Sequence, residues 1–287
     1  MAAAVRARVR ASVLSACLRW TSLHERRRMS FLPTLIRTVI LAAGIALPAA
    51  AADQPVTARL VADAAMPTPG APFLLGVEFT MEEGWHLYWR NPGDAGLAPT
   101  IAFTLPAGWT MGETRWPAPE RVIDPGDIVL NVYHHRVLIA AEATPPADWT
   151  PAPVTITATA SWLMCKAELC MPGKASLALA LPQAEPLAAE AVAAWRASLP
   201  QPAEGFAEIR RDAGAASITL LWKRPVEPAS LVAFAPAGGA LAWSDHAERA
   251  STLTVAKPGD EPSSPAVVTG RTGDGHPFAI AVPLSSP

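Results

Sequence analysis

The chain has 287 residues, 51% of them hydrophobic and 17% charged, with a formal net charge of −2. That composition is globular and supports a core, and the length favours two compact units. Eight of the 23 basic residues but only one of the 25 acidic ones lie in the first 52 positions, leaving 15 against 24, about −9; no basic patch remains to meet nucleic acid or an anionic membrane.

Residues 1–52 read as a leader. Arg37 precedes an apolar run that ends in Ala50-Ala51-Ala52 before Asp53 and Gln54, which makes the n-region, h-region and small-residue site of a secretory signal cleaved after Ala52. The apolar stretch of about 14 residues falls short of the roughly 20 that a membrane anchor needs. Residues 1–28, with Cys17 and their arginines, fit no region of a signal, and Met29 is an equally good start. Arg27-Arg28 before Phe31-Leu32 matches a twin-arginine signal only faintly. No later segment approaches a membrane span, so the mature chain is expected in the periplasm without one.

Apolar and polar residues then alternate in short runs at 56–62, 73–80, 85–89, 100–105, 136–142, 154–163 and 175–181. Turn clusters at 66–72, 91–96, 106–108 and 124–127 separate several of them, and 30 prolines and 18 glycines disfavour long helices. The expectation is an all-β chain whose first part, 53–184, is a β-sandwich. Residues 185–199 are Ala-rich, carry Pro186 at the start and stop before Pro200, which predicts a helix linking two domains. Short strands resume at 206–211, 216–223, 230–235, 240–243, 251–256, 265–270 and 277–284, so 200–287 is read as a second, smaller β-domain. It has no cysteine, His246 and His276 sit in turn-like surroundings, and its expected role is scaffolding or docking.

Chemistry points to Cys165 and Cys170, the two cysteines left once the leader is set aside. An even pair in an exported protein implies a disulfide. Bridged Cα atoms stand about 4.4–6.8 Å apart. A straight strand carries five residues over roughly 16 Å, and a helix turns the two side chains about 140° apart. The backbone at 166–169 must therefore turn back, which puts the pair in an accessible loop at a strand end. A ring this small stabilises by only about 2 kcal/mol as a staple, whereas strain and exposure suit a redox device. Spacing alone leaves both readings open.

The flanking Met164 and Met171 make a sulfur-rich run with Cys165 and Cys170, and soft donors of that kind select Cu(I). The plainer reading has both methionines at core positions. No zinc-finger spacing, G-x-S-x-G, P-loop or H-E-x-x-H motif occurs, the carboxylates at Asp94, Glu113, Glu120 and Asp127 fall on turns, and no cofactor is expected.

Three blocks together carry a resemblance: GWHLYWRNPGDAG at 84–96, RWPAPER at 115–121 and WLMCKAELCMPG at 162–173. Over about residues 55–182 the chain resembles the N-terminal domain of the thiol:disulfide interchange reductases of the DsbD family, particularly the ScsB-like branch. The resemblance implies an immunoglobulin-like sandwich with the cysteine pair at one edge. It implies a pair that takes electrons from a membrane carrier and reduces oxidised periplasmic proteins, with Cys170 forming the mixed disulfide and Cys165 resolving it. It also implies a cap loop shielding the pair, matched by position to Arg115, Trp116, Pro117, Ala118 and Pro119, with Trp116 as the shielding aromatic. Lys166 would favour a thiolate and Glu168 oppose it. The family's reductases continue into a membrane domain and a thioredoxin-like domain that this sequence lacks, so a separate membrane thiol-electron carrier is the expected donor.

Overall fold

The computed structural model describes residues 54–167, 169–211, 217–257 and 264–284. The segment read as a secretory signal, with Cys17 and Met29, and Glu168 lie outside the described residues.

Ten strands precede the helix: β1 (Val56–Ala62), β2 (Phe73–Met81), β3 (His86–Gly93), β4 (Thr100–Thr104), β5 (Thr110–Met111), β6 (Glu120–Asp124), β7 (Ile128–His134), β8 (Arg136–Thr144), β9 (Val154–Lys166) and β10 (Leu169–Leu181). They form an immunoglobulin-like sandwich of two sheets. One runs β1-β2-β8-β5 and the other β10-β9-β3-β7-β6, with β4 also paired to β9. Alternation supplies the core between them: Trp85 just before β3, Leu87 and Trp89 from β3, Trp162 and Met164 from β9, and Val77 and Phe79 from β2 all point inward and are buried. Trp162 needs room, and Gly173 opposite provides it, since a Cβ there would lie 2.3 Å from the indole.

The hairpin β6–β7 did not stand out in the sequence. Its second strand, IVLNVYH, is buried on both faces at Leu130 to Tyr133 and so shows no alternation. One face joins Tyr133 to the sandwich core, and the other sets Leu130 and Val132 against Tyr88 and Cys165.

The helix α1 (Ala189–Ser198) is shorter than expected because residues 185–188 are not helical: Ala188 is extended, and the Leu187 N–H donates to the Ala62 carbonyl at 2.7 Å. Trp195 anchors the helix over the first sheet, its indole N–H donating to the Leu138 carbonyl at 3.0 Å.

Beyond the helix lie β11 (Gln201–Pro202), β12 (Ala207–Arg211), β13 (Ser217–Trp222), β14 (Val232–Phe234), β15 (Ala240–His246), β16 (Ala250–Lys257), β17 (Ala266–Arg271) and β18 (Pro277–Val282). They make two four-stranded sheets, β11-β18-β17-β14 and β12-β13-β16-β15, around a core of their own. Phe234 and Val267 nevertheless belong to the core of the first sandwich. The Phe234 ring packs edge-on to Trp89 at 5.8 Å, and the Arg121 guanidinium lies over it at 4.9 Å. Asn91 Nδ2 donates to the carbonyls of Ala235 and Pro236, Arg90 to Pro265, and Arg121 to Ala233 at 2.6 Å.

A shared core predicts shared stability. Phe234→Ala is expected to cost about 3–5 kcal/mol and to lower the denaturation midpoint of the first sandwich, read from the fluorescence of its tryptophans. An unchanged first-sandwich transition would show that the two regions unfold independently.

Candidate functional site

The chain does turn back where the cysteine spacing requires. β9 and β10, 13 residues each, form an antiparallel hairpin in which Cys165 and Cys170 are directly opposed, with Lys166 facing Leu169 across the turn and Ala167 left-handed at φ 48°. The sulfurs are bonded and the Cα atoms stand 4.2 Å apart.

The two sulfurs occupy different surroundings. Cys170 lies on the outermost strand of its sheet and is exposed, whereas Cys165, one strand inward, is 1% exposed. Cys165 packs with Tyr88, Leu130 and Val132, and the partly buried Val122 and Leu163 lie at the margin. Gly96, at φ +100°, closes over the Tyr88 ring; a Cβ there would come within 2.2 Å of it. This close approach is one physical reason for the glycine at the end of the GWHLYWRNPGDAG block.

Strand pairing extends the site across the sheet. Cys170 faces Cys165, Cys165 faces His86 on β3, and His86 faces His134 on β7. Directly opposed residues project to the same face, so the four form one row. Within it the Tyr88 hydroxyl donates to Cys165 Sγ at 3.2 Å, and His86 Nε2 lies 3.3 Å from the Tyr88 oxygen. The His86 and His134 rings meet edge to face at 5.9 Å, and His134 Nδ1 reaches a Glu120 carboxylate oxygen at 3.1 Å. Burial pushes the Tyr88 hydroxyl pKa up, reinforced by the Asp124 charge, so the hydroxyl stays protonated. Burial and then the neighbouring His134 push His86 below the usual histidine value, against a smaller opposing pull from Asp124.

The other sequence-derived candidates make different contacts. Met164 and Met171 face each other across the hairpin one residue from the cysteines, and alternation turns them to the opposite face, where both meet the sandwich core. The four sulfurs therefore do not converge, and among the described residues no group of three or more His, Cys, Asp or Glu is placed to hold a metal. The segment 115–119 is held by contacts of its own. Arg115 bridges to Ala140 on the other sheet and stacks over Trp195, Trp116 packs against the sandwich core beside Trp89 and Leu199, Pro117 accepts the Tyr133 hydroxyl at 2.7 Å, the Ala118 N–H donates to Ser198, and Pro119 is buried. Among the described contacts none joins these five residues to Cys165 or Cys170. Lys166 spends its ammonium on the Glu83 carbonyl at 2.9 Å. His86 and Tyr88 did not stand out as site residues in the sequence, although the alternation in WHLYW already sets them on the face opposite Trp85, Leu87 and Trp89.

Fold and site together define an immunoglobulin-like sandwich that carries a one-side-exposed disulfide at the end of an edge hairpin. Residues 53–182 match the family described as "Thiol:disulfide interchange protein DsbD, N-terminal", and this stretch is a DsbD N-terminal-like domain. The chain is also similar to the crystal structure of the N-terminal periplasmic domain of ScsB from Proteus mirabilis. That match has 18% identity and a TM-score of 0.55, and covers 82% of this chain and 95% of that one. Such coverage runs well past residue 182, so the strands after the helix are part of the shared fold. The reduced DsbD N-terminal domain of Neisseria meningitidis (13% identity, 42% of this chain and 83% of that one) and its complex with the PilB N-terminal domain (17%, 42% and 80%) align at TM-scores of 0.26, too low to build on. No curated protein matches the chain. Among the described residues no helix is long and apolar enough to cross a membrane.

Two outcomes follow from the site. In the reduced protein a maleimide should modify Cys170 well before Cys165, as read by peptide mass mapping over time; equal rates would contradict the burial of Cys165. Because the folded-state pKa of His86 lies below its ordinary 6.5, unfolding takes up a proton as pH falls below about 6.5, and stability drops there until the folded value is passed. His86→Gln should remove that component from a plot of urea midpoint against pH; identical plots for the two proteins would refute it.

Proposed function

We propose that the chain is a periplasmic thiol–disulfide interchange module that passes electrons through Cys165 and Cys170 as a protein-disulfide reductase. In this reading the electrons come from a separate membrane thiol-electron carrier and go to oxidised periplasmic proteins. The observation that carries it is the unequal exposure of the two sulfurs. A pair meant only as a staple gains nothing from leaving one sulfur on an edge strand, whereas exchange requires one sulfur that a partner thiolate can approach in line and another that leaves. Cys170 is the attacked sulfur and forms the mixed disulfide; Cys165, sheltered beneath Tyr88, is the leaving and later the resolving sulfur. Leu169, 55% exposed beside Cys170, offers apolar surface at the point of contact. The leader-like first 52 residues and the likeness to a periplasmic domain support the compartment. Residues 200–287, docked through Asn91, Arg121 and Phe234, serve as a scaffold that leaves the disulfide edge free.

Trapping tests this reading. Cys165→Ala keeps the exposed Cys170 and should accumulate mixed disulfides with periplasmic proteins in the cell, identifiable by mass spectrometry, while Cys170→Ala should trap few. The wild-type pair should exchange reversibly with a dithiol buffer at a potential that periplasmic partners reach. A disulfide reduced only well below about −300 mV, together with no trapped species from either variant, would mark it as a structural clip.

A further inference from the structure

We propose that His86 is a positioning residue for thiol exchange, acting through the Tyr88 hydroxyl to stabilise and then protonate the Cys165 sulfur when the disulfide opens. The inference rests on the exchange reading above and extends it to two residues that contribute no sulfur.

The hydrogen bonds have a fixed sense. Sulfur in a disulfide carries no proton, so at 3.2 Å the Tyr88 hydroxyl must be the donor to Cys165 Sγ. Its one proton is then committed, and the 3.3 Å contact with His86 Nε2 is bonding only if the imidazole donates to the Tyr88 oxygen. A neutral imidazole protonated on Nε2 meets that demand and leaves Nδ1 as an acceptor. The result is a directed line, His86 N–H to Tyr88 O–H to Cys165 Sγ, leading from a half-buried ring to a buried sulfur.

The groups around His86 are compatible with the neutral form. His134 approaches from β7 with Glu120 of β6 on its far side, Asp124 of β6 acts on it electrostatically, and Cys165 stands opposite on β9. Burial and His134 disfavour a charge on His86, and burial keeps the Tyr88 proton in place.

The line answers a need created by the burial of Cys165. A thiolate from a partner protein's dithiol attacks Cys170 Sγ; the new sulfur–sulfur bond forms as the Cys165–Cys170 bond breaks, and Cys165 leaves with the electron pair. A thiolate in an apolar pocket is costly, and hydrogen bonds to the charged form offset that cost. Cys165 then takes the Tyr88 proton, and Tyr88 takes the Nε2 proton of His86 as Nδ1 of the same ring accepts one from solvent, so the imidazole stays neutral and changes tautomer. The partner's second thiol resolves the mixed disulfide, leaving the partner oxidised and both cysteines here reduced. In the opposite direction the same line removes the proton from Cys165 before it attacks.

Two measurements test the role. In Cys170→Ala, Cys165 titrates as a lone thiol, followed by the ultraviolet absorbance of its thiolate. Adding Tyr88→Phe, which keeps the ring, should leave about tenfold less thiolate at a given pH. Adding His86→Phe should lower it severalfold, and His86→Gln, whose amide can still donate to Tyr88, should restore it. In the two-cysteine protein, Tyr88→Phe should slow reduction by dithiothreitol about tenfold with the melting temperature held as a check on folding. An unchanged Cys165 titration in Tyr88→Phe, or His86→Gln behaving like His86→Phe, would overturn the inference. The lone-thiol titration does not depend on the disulfide being exchangeable, so a disulfide that no dithiol opens would count against the exchange reading alone.

Discussion

The site depends on one constraint: the antiparallel register that aligns β10, β9, β3 and β7 so that Cys170, Cys165, His86 and His134 fall in a single row. Strand pairing fixes side chains to a face with a period of two, and a slip of one residue would turn a whole strand over. With β9 slipped, Met164 would face Tyr88 and Cys165 would enter the core. The register thus decides which sulfur is sheltered, which is presented, and which polar groups lie beneath the sheltered one. The row also explains why the two cysteines are not equivalent although they sit opposite each other on a hairpin. β10 is the edge of the sheet, while β9 has β3 and β4 on its other side.

β3 holds this register because both of its faces are engaged. Trp85, Leu87 and Trp89 enter the sandwich core while His86 and Tyr88 stay on the outer face. The strand then leaves its ladder. Its pairing with β7 jumps from Tyr88 opposite Val132 to Gly93 opposite Leu130, so residues 89–92 bulge out of the sheet. That bulge presents Trp89, Arg90 and Asn91 to the C-terminal sheets, where Phe234, Pro265, Ala235 and Pro236 meet them. Asn131 of β7 donates to the Asn91 carbonyl at 2.9 Å and ties the bulge back to the sheet.

Much of this was legible in the sequence, for reasons tied to particular residues. The strand runs with one buried face, such as 56–62 and 154–163, announced themselves by alternation. The five-residue cysteine spacing demanded a reversal, and the hairpin supplies it. β6 and β7 were hidden because the Ile128–His134 strand is buried on both sides and reads as a plain apolar run beyond the Pro125-Gly126 turn. The length of α1 was overread because alanine favours helix wherever nothing opposes it, whereas residues 185–188 are not helical and Leu187 is bonded to Ala62. The site was half legible. Cysteines declare their chemistry by type, but the value of a tyrosine and a histidine depends on the strand they face, and strand neighbours 77 residues apart leave no local pattern.

The place of residues 200–287 follows from the same strand. Here Phe234, 1% exposed, is shared with the first core, and Arg90, Asn91 and Arg121 donate to backbone carbonyls of the second β-region. The clamp grips the end of β3 next to Tyr88, whereas His86 opens the strand at its other end. Tyr88 is therefore held between the C-terminal docking site on one side and the cysteine row on the other. The Tyr88 hydroxyl that donates to Cys165 Sγ thus stands on a backbone held on both sides, with the second β-region, which contributes no cysteine, on one of them.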